Sequence, residues 1–178
     1  MRGVGSYGLR GQLPVRDVAK IPKAFLRDHR SNQRGTDVFI PAYKDHGNWK
    51  ENTIKSALKN FWLAIYEGKL EVEVDDVWIQ KGNVEQVMRE YFPANARTGK
   101  WRTEDPLPYF EAYTRGNKTA EELPTIGKVD CYLLAGDQRQ STGYVACFRK
   151  NLMLIQHKRF DSIVPYSGVF VCTDKRGN

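Results

Sequence analysis

The chain has 178 residues, of which 40% are hydrophobic and 12% aromatic, enough apolar material for one domain with a core and part of a second. No apolar run approaches the roughly 20 residues that a membrane-spanning helix needs, and the N-terminus lacks the apolar stretch of a secretory signal. We therefore expect a cytoplasmic protein without a membrane partner.

The net charge of +7 is concentrated at the two ends of the chain. Residues 1–50 hold ten Lys and Arg against four Asp and Glu, and residues 137–178 hold seven against three, whereas residues 51–136 are slightly acidic. Basic ends suit a phosphate-rich partner such as nucleic acid. An ordinary solvated surface is the alternative, because no zinc-finger spacing or base-reading motif accompanies the charge.

The first part of the chain predicts short elements. Residues 4–14 are spaced by glycines and predict a turn or a short edge strand. Pro22 can lie only in the first turn of a helix, so the segment after it predicts two helical turns at most. Residues 36–42 alternate apolar and polar side chains and predict a strand that Pro41 ends.

The clearest element is a helix over residues 48–68. Asn48, with Glu51 three residues later, predicts a capping box at its start, and Gly68 predicts its end. Apolar residues at three- and four-residue steps form one face. They are Ile54, Ala57, Leu58, Phe61, Trp62, Ile65 and Tyr66.

The period then changes from helical to alternating. Residues 70–74 and 77–80 predict two strands joined as a hairpin. Residues 83–92 predict a short helix, and a brief helix capped by Thr103 is expected to run up to Thr114. The remaining residues of this region predict loops.

The last third of the chain is rich in predicted strands. The second and third of them are expected to form a hairpin through a turn at Lys150 and Asn151. The candidates are residues 127–136, 143–150, 152–158 and 167–174. Together, the elements predict an α+β fold with a mixed or antiparallel sheet and helices on one face.

The sequence offers no recognised catalytic set. The three histidines lie far apart without zinc-ligand spacing, and the serines beside glycines lack the strand and helix of a nucleophile elbow. Cys131, Cys147 and Cys172 lie in apolar runs and are expected to be buried, reduced thiols. We expect no catalytic residue and no metal site in this chain, and an enzyme with an unrecognised site is the least supported hypothesis.

Three stretches, in order, resemble one superfamily. "RGTDVFI" at residues 34–40 resembles the Gly-Thr motif on the last strand of the GHKL ATPase domain, which gyrase, histidine kinases, MutL and the MORC proteins share. "FRKNLMLIQHKR" at residues 148–159 resembles the exposed transducer hairpin of MORC proteins, and "YSGVFVCTDKRGN" at residues 166–178 resembles the strand after it. The segment "WKENTIKSALKNFWLAIYEGKLEVEV" at residues 49–74 is similar to a helix that follows the Gly-Thr strand in bacterial MORC-like proteins, which are often linked to restriction or defence loci.

The resemblance implies two parts. Residues 1–47 would be the C-terminal remnant of a GHKL-type ATPase domain, with Gly35 and Thr36 beside the nucleotide, and residues 48–178 would form a transducer like ribosomal small-subunit protein five. The helix with Glu and Asn and the glycine-flanked Asp of such ATPases are absent from the sequence. We therefore expect an N-terminal ATP-binding domain, with ATP and magnesium, in the intact parent protein, and no cofactor or ATP hydrolysis for the isolated chain.

The implied function is to couple ATP binding and hydrolysis to a conformational change that closes a homodimer on DNA, in restriction or phage defence. Arg149 and Lys150, at the tip of the predicted hairpin, are the first candidates for contact with phosphate, either of nucleotide or of DNA. Arg27, Arg30 and Arg34 form a second basic cluster. For both clusters a solvated surface is the alternative, and for the whole chain the alternative function is a free-standing α+β nucleic-acid-binding module without catalysis.

Overall fold

The computed structural model describes residues 8–9, 13–14, 47–97, 99–136 and 140–177. The chain divides into two compact units, Met1–Asp45 and His46–Asn178. In the first unit, β1 (Gly8–Leu9) and β2 (Leu13–Pro14) pair as a short antiparallel ribbon. Two predicted features lie outside the described residues and stay predictions. They are the strand with Gly35 and Thr36 and the cluster of Arg27, Arg30 and Arg34.

The long helix is confirmed as α1 (Trp49–Tyr66). Its buried residues repeat at helical spacing because one face packs against the rest of the second unit. They are Ile54, Leu58, Trp62, Leu63, Ala64 and Ile65.

The two ends of α1 differ from each other. Gly68 takes a φ of +68°, its N–H donates to the carbonyl of Ile65, and Lys69 N–H donates to the carbonyl of Ala64, both at 2.9 Å. This is a Schellman ending, as the glycine predicts. The predicted capping box is wrong, because the Asn48 side chain makes no capping hydrogen bond and the Glu51 carboxylate instead accepts from Lys55.

The hairpin and the two shorter helices follow in the predicted order. β3 (Val72–Val74) and β4 (Val77–Ile79) pair antiparallel, and α2 (Val84–Tyr91) packs against α1. A 3₁₀ turn at Ala94–Ala96 leads to α3 (Trp101–Glu104) and α4 (Leu107–Arg115).

The predicted cap of the later helix is wrong. Thr103 lies inside α3, and α4 begins at Leu107 after Pro106. The carboxylate of Asp105, two residues before Leu107, accepts the N–H of Leu107 at 2.9 Å. Aspartate at this position satisfies a backbone donor that has no partner within the helix.

Five strands form the main sheet. They are β5 (Asn117–Leu123), β6 (Gly127–Ala135), β7 (Tyr144–Phe148), β8 (Leu154–Arg159) and β9 (Tyr166–Cys172), in the order β5-β6-β9-β7-β8. Only β7 and β9 pair parallel, and the other neighbours pair antiparallel. The last strand therefore inserts between β6 and β7, and the predicted α+β fold with a mixed sheet is confirmed.

One face of the sheet carries α1 and α4. Ala146 and Phe148 of β7 share this face with Val169 and Val171 of β9, and all four are buried in the main core. Trp62 of α1 packs edge-on against the ring of Phe148, with 5.3 Å between centroids, and against the ring of Phe110 at 5.8 Å. None of the described helices combines the length and apolarity needed to cross a bilayer.

Candidate nucleic-acid interface

The turn between β7 and β8 places Arg149 and Lys150 at the tip of a hairpin, and both are exposed. Leu152 N–H closes the turn on the carbonyl of Arg149 at 2.7 Å. Leu152 has a φ of +57°, a conformation that costs a non-glycine residue about 1–2 kcal/mol, but its side chain is only 3% exposed. Burying a leucine contributes about 1.5–3 kcal/mol, so the anchored side chain offsets this strain and holds the tip in place.

A second basic pair lies at the other end of the same edge. Lys158 and Arg159 end β8, where they pair with Val145 and Tyr144 of β7, and both are exposed. β8 is the last strand of the sheet, and a strand rises roughly 3.3 Å per residue, so the two pairs lie roughly 15 to 20 Å apart. We call Arg149, Lys150, Lys158 and Arg159 the basic edge.

The charge of the basic edge is not neutralised by neighbouring acids. Within the described part of the chain, none of its four side chains forms an ion pair or a hydrogen bond. Several other cations are paired, such as Lys118 with Asp130 at 3.1 Å and Arg176 with Glu122 at 2.7 Å, whereas Lys69 and Lys81 also lack an ion pair within the described residues but are not grouped on one strand edge. The only acidic residue in the sequence from position 149 to 173 is Asp161. The basic edge therefore keeps a positive field that is directed at solvent.

Tyr166 fixes the end of the hairpin that carries Lys158 and Arg159. Its hydroxyl accepts the N–H of Phe160 at 3.0 Å and lies within hydrogen-bonding distance of the carbonyl oxygens of Gly143 (3.1 Å) and Phe160 (2.9 Å). One phenol thus joins the start of β7, the end of β8 and the start of β9. Lys158 and Arg159 therefore lie at the end of β8, which Tyr166 links by hydrogen bonds to the start of β7 and the start of β9.

His157 lies within the same strand but adds no charge at neutral pH. Its ring packs against Tyr109, with 4.8 Å between centroids, and is largely buried. Burial, followed by the positive charge of Lys59, lowers the pKa of His157 to about 4. No cluster of His, Cys, Asp or Glu suited to a metal ion occurs among the described residues, and the three cysteines there are free.

A wide depression of about 910 Å³ beside the start of α1 is the other candidate site. Its cations are Lys50, Lys55, Arg97 and Lys100, and its acids are Glu51, Glu90, Glu104 and Asp105. Three of the four cations are held by carboxylates, among them Arg97, whose Nε donates to the nearly buried Asp105 at 2.8 Å. Because its charges balance, this depression does not favour a polyanion, and the basic edge does.

Sequence reasoning found half of the basic edge. It singled out Arg149 and Lys150, which the structure places at the hairpin tip, and missed Lys158 and Arg159. The adjacent basic pair was a visible signal, but only the strand order shows that it stands at the edge of the sheet. The other predicted site residues, Gly35, Thr36, Arg27, Arg30 and Arg34, lie outside the described residues.

Comparison of the chain with models of known protein families, with curated protein sequences and with solved structures found no match. The resemblance to MORC-like GHKL ATPases therefore stays a prediction.

Proposed function

We propose that the chain binds the phosphate backbone of DNA through the basic edge. The observation that carries this proposal is the set of four exposed cations along one sheet edge that have no acidic partner in the described part of the chain. Lysine and arginine side chains that neutralise phosphates release condensed counterions, and this release supplies most of the affinity of sequence-independent binding.

The resemblance to MORC-like ATPases adds a setting to this activity, namely the larger protein in which the DNA binding would operate. In that setting the chain is the transducer portion of a MORC-like bacterial GHKL ATPase, and the intact protein couples ATP and magnesium binding to engagement of DNA in restriction or phage defence. The exposed tip of the β7–β8 hairpin and the α+β architecture support the setting. A free-standing binding module would use the same edge without nucleotide coupling.

Salt dependence tests the binding. Affinity for a short fluorescent duplex is measured by anisotropy between about 50 and 200 mM salt, and four neutralised phosphates give a log–log slope of about −3.6. Replacing either pair by serine, Arg149→Ser with Lys150→Ser or Lys158→Ser with Arg159→Ser, is expected to reduce the slope by about 1.8.

The matched control removes two positive charges from elsewhere. Lys69 and Lys81 are exposed and make no ion pair within the described residues, and they stand beside the β3–β4 hairpin. The double variant Lys69→Ser with Lys81→Ser is expected to keep the wild-type slope. No binding at about 50 mM salt, or an equal loss in this control, would contradict the proposal.

The transducer setting has a separate test in the reading frame upstream of Met1. The setting predicts a helix that carries Glu and Asn, followed by a glycine-flanked Asp. A reading frame that lacks these motifs would leave the binding activity in place and remove the ATPase setting.

A further inference from the structure

The loop between β8 and β9 holds three apolar side chains in solvent. Phe160 and Val164 are each 55% exposed, and Ile163 is fully exposed. The loop directly follows Lys158 and Arg159 of the basic edge. Three exposed apolar residues within five positions of one loop indicate a place where a partner can bind.

The loop is held in one conformation by hydrogen bonds along its length. Tyr166 binds the backbone of Phe160 at one end, and Ser162 Oγ accepts the N–H of Val164 at 3.2 Å and donates to its carbonyl at 2.9 Å. The carbonyl of Pro165 accepts Gly136 N–H at 3.1 Å. The apolar side chains are therefore presented by a fixed backbone, which lowers the entropy lost on binding.

The residues beside the loop indicate which class of ligand binds there. Phe160 directly follows Lys158 and Arg159 in the chain, so an exposed aromatic residue comes immediately after two cations that lack an ion pair in the described structure. Aromatic side chains beside a basic track are the means by which proteins bind single strands, where the cations contact phosphate and the ring stacks on a base. A base inside a continuous duplex offers no free face to such a ring.

We propose that Phe160 stacks on an unpaired nucleobase, so that the chain prefers single-stranded nucleic acid to continuous duplex. This inference rests on the proposed function, because phosphate contacts along the basic edge bring the strand to the loop. It makes the ligand a single strand, or the unpaired part of an opened duplex.

The test compares a fluorescent single strand with the duplex of the same sequence at one salt concentration. Wild-type protein is expected to bind the single strand more tightly. Phe160→Ala is expected to weaken single-strand binding by about 5- to 150-fold, the range that loss of one base–aromatic contact produces. The same variant is expected to leave duplex affinity and the salt slope unchanged, and Phe160→Trp is expected to retain single-strand binding.

Trp78→Ala is the matched control, because Trp78 on β4 is another aromatic residue with a similar exposure of 49%. It is expected to bind both ligands as the wild type does. Thermal melting of both variants checks that they are folded.

The possible negative results distinguish the loop inference from the proposed binding at the basic edge. If the wild type binds duplex with the expected salt slope and Phe160→Ala binds the single strand unchanged, the loop inference is wrong and the basic edge stands. If the wild type binds neither nucleic acid, both proposals are wrong. If anionic phospholipid vesicles bind in a Phe160-dependent way and single strands show no preference, the loop is a membrane contact and the inference is overturned.

Discussion

His157 shows how one residue can lie within a basic strand without contributing to its charge. The ring faces the core side of the sheet, where Tyr109 covers it and Lys59 opposes its protonation, while Glu104 partly offsets Lys59. Lys158 and Arg159 beside it stay exposed and charged. Phosphate binding at the basic edge is therefore expected to draw on four charges at neutral pH, not five.

The lowered pKa of His157 predicts an acid-sensitive step in stability. Between its ordinary value of 6.5 and about 4, the unfolded chain binds a proton that the folded chain does not, so stability falls as the pH falls through this range and is fully retained above it. The contribution is about 3 kcal/mol at most. His157→Phe keeps a ring against Tyr109 and removes the titration.

Urea unfolding at several pH values between 7 and 4 measures this effect. The free energy of unfolding of His157→Phe is expected to fall less steeply with acidification than that of the wild type. Parallel curves for the two proteins would show that His157 does not lose its proton on burial.

At the scale of elements, segments with a periodic apolar face form the predicted structure, whereas an exposed segment without such a period is not predicted from the sequence. α1 and the β3–β4 hairpin were both predicted because each buries one face, and that burial selects apolar residues at a fixed period. β5 was not predicted. It is a polar strand at the sheet edge, exposed along nearly its whole length, so its pairing with β6 rests on backbone hydrogen bonds that leave no apolar pattern.

The start of α4 depends on a nearly buried ion pair. Asp105 is 3% exposed, and burial raises the pKa of its carboxyl group, although the N–H of Leu107 and the guanidinium of Arg97 both oppose this shift. Removing one partner of such a pair leaves an uncompensated buried charge. Arg97→Met is therefore expected to destabilise the fold by about 3–5 kcal/mol at neutral pH.

The control for this prediction is Arg97→Met combined with Asp105→Asn. The amide keeps an oxygen that can accept the N–H of Leu107 and carries no charge, so the double variant is expected to recover much of the loss. Chemical denaturation of the two single variants and the double variant gives the coupling energy. A double variant as unstable as the sum of the single variants would contradict the assigned role.

At the scale of the whole molecule, the described core belongs to one unit. The buried hydrophobic residues of the described chain run from Ile54 to Cys172, and all of them lie inside His46–Asn178. A chain of residues 46–178 is therefore expected to fold by itself and to unfold cooperatively. Near-ultraviolet circular dichroism and thermal melting, compared with the full chain, check this expectation, and a non-cooperative transition would contradict it.

The sequence by itself determined the type and order of most elements in this unit, because helical and alternating burial leave different periods in the chain. It also placed Arg149 and Lys150 on a turn between strands. Only the tertiary structure decided that β9 enters between β6 and β7, which makes β8 an edge and aligns Lys158 and Arg159 with the hairpin tip. Strand order follows from hydrogen bonds between residues distant in sequence, and a local period carries no information about those partners.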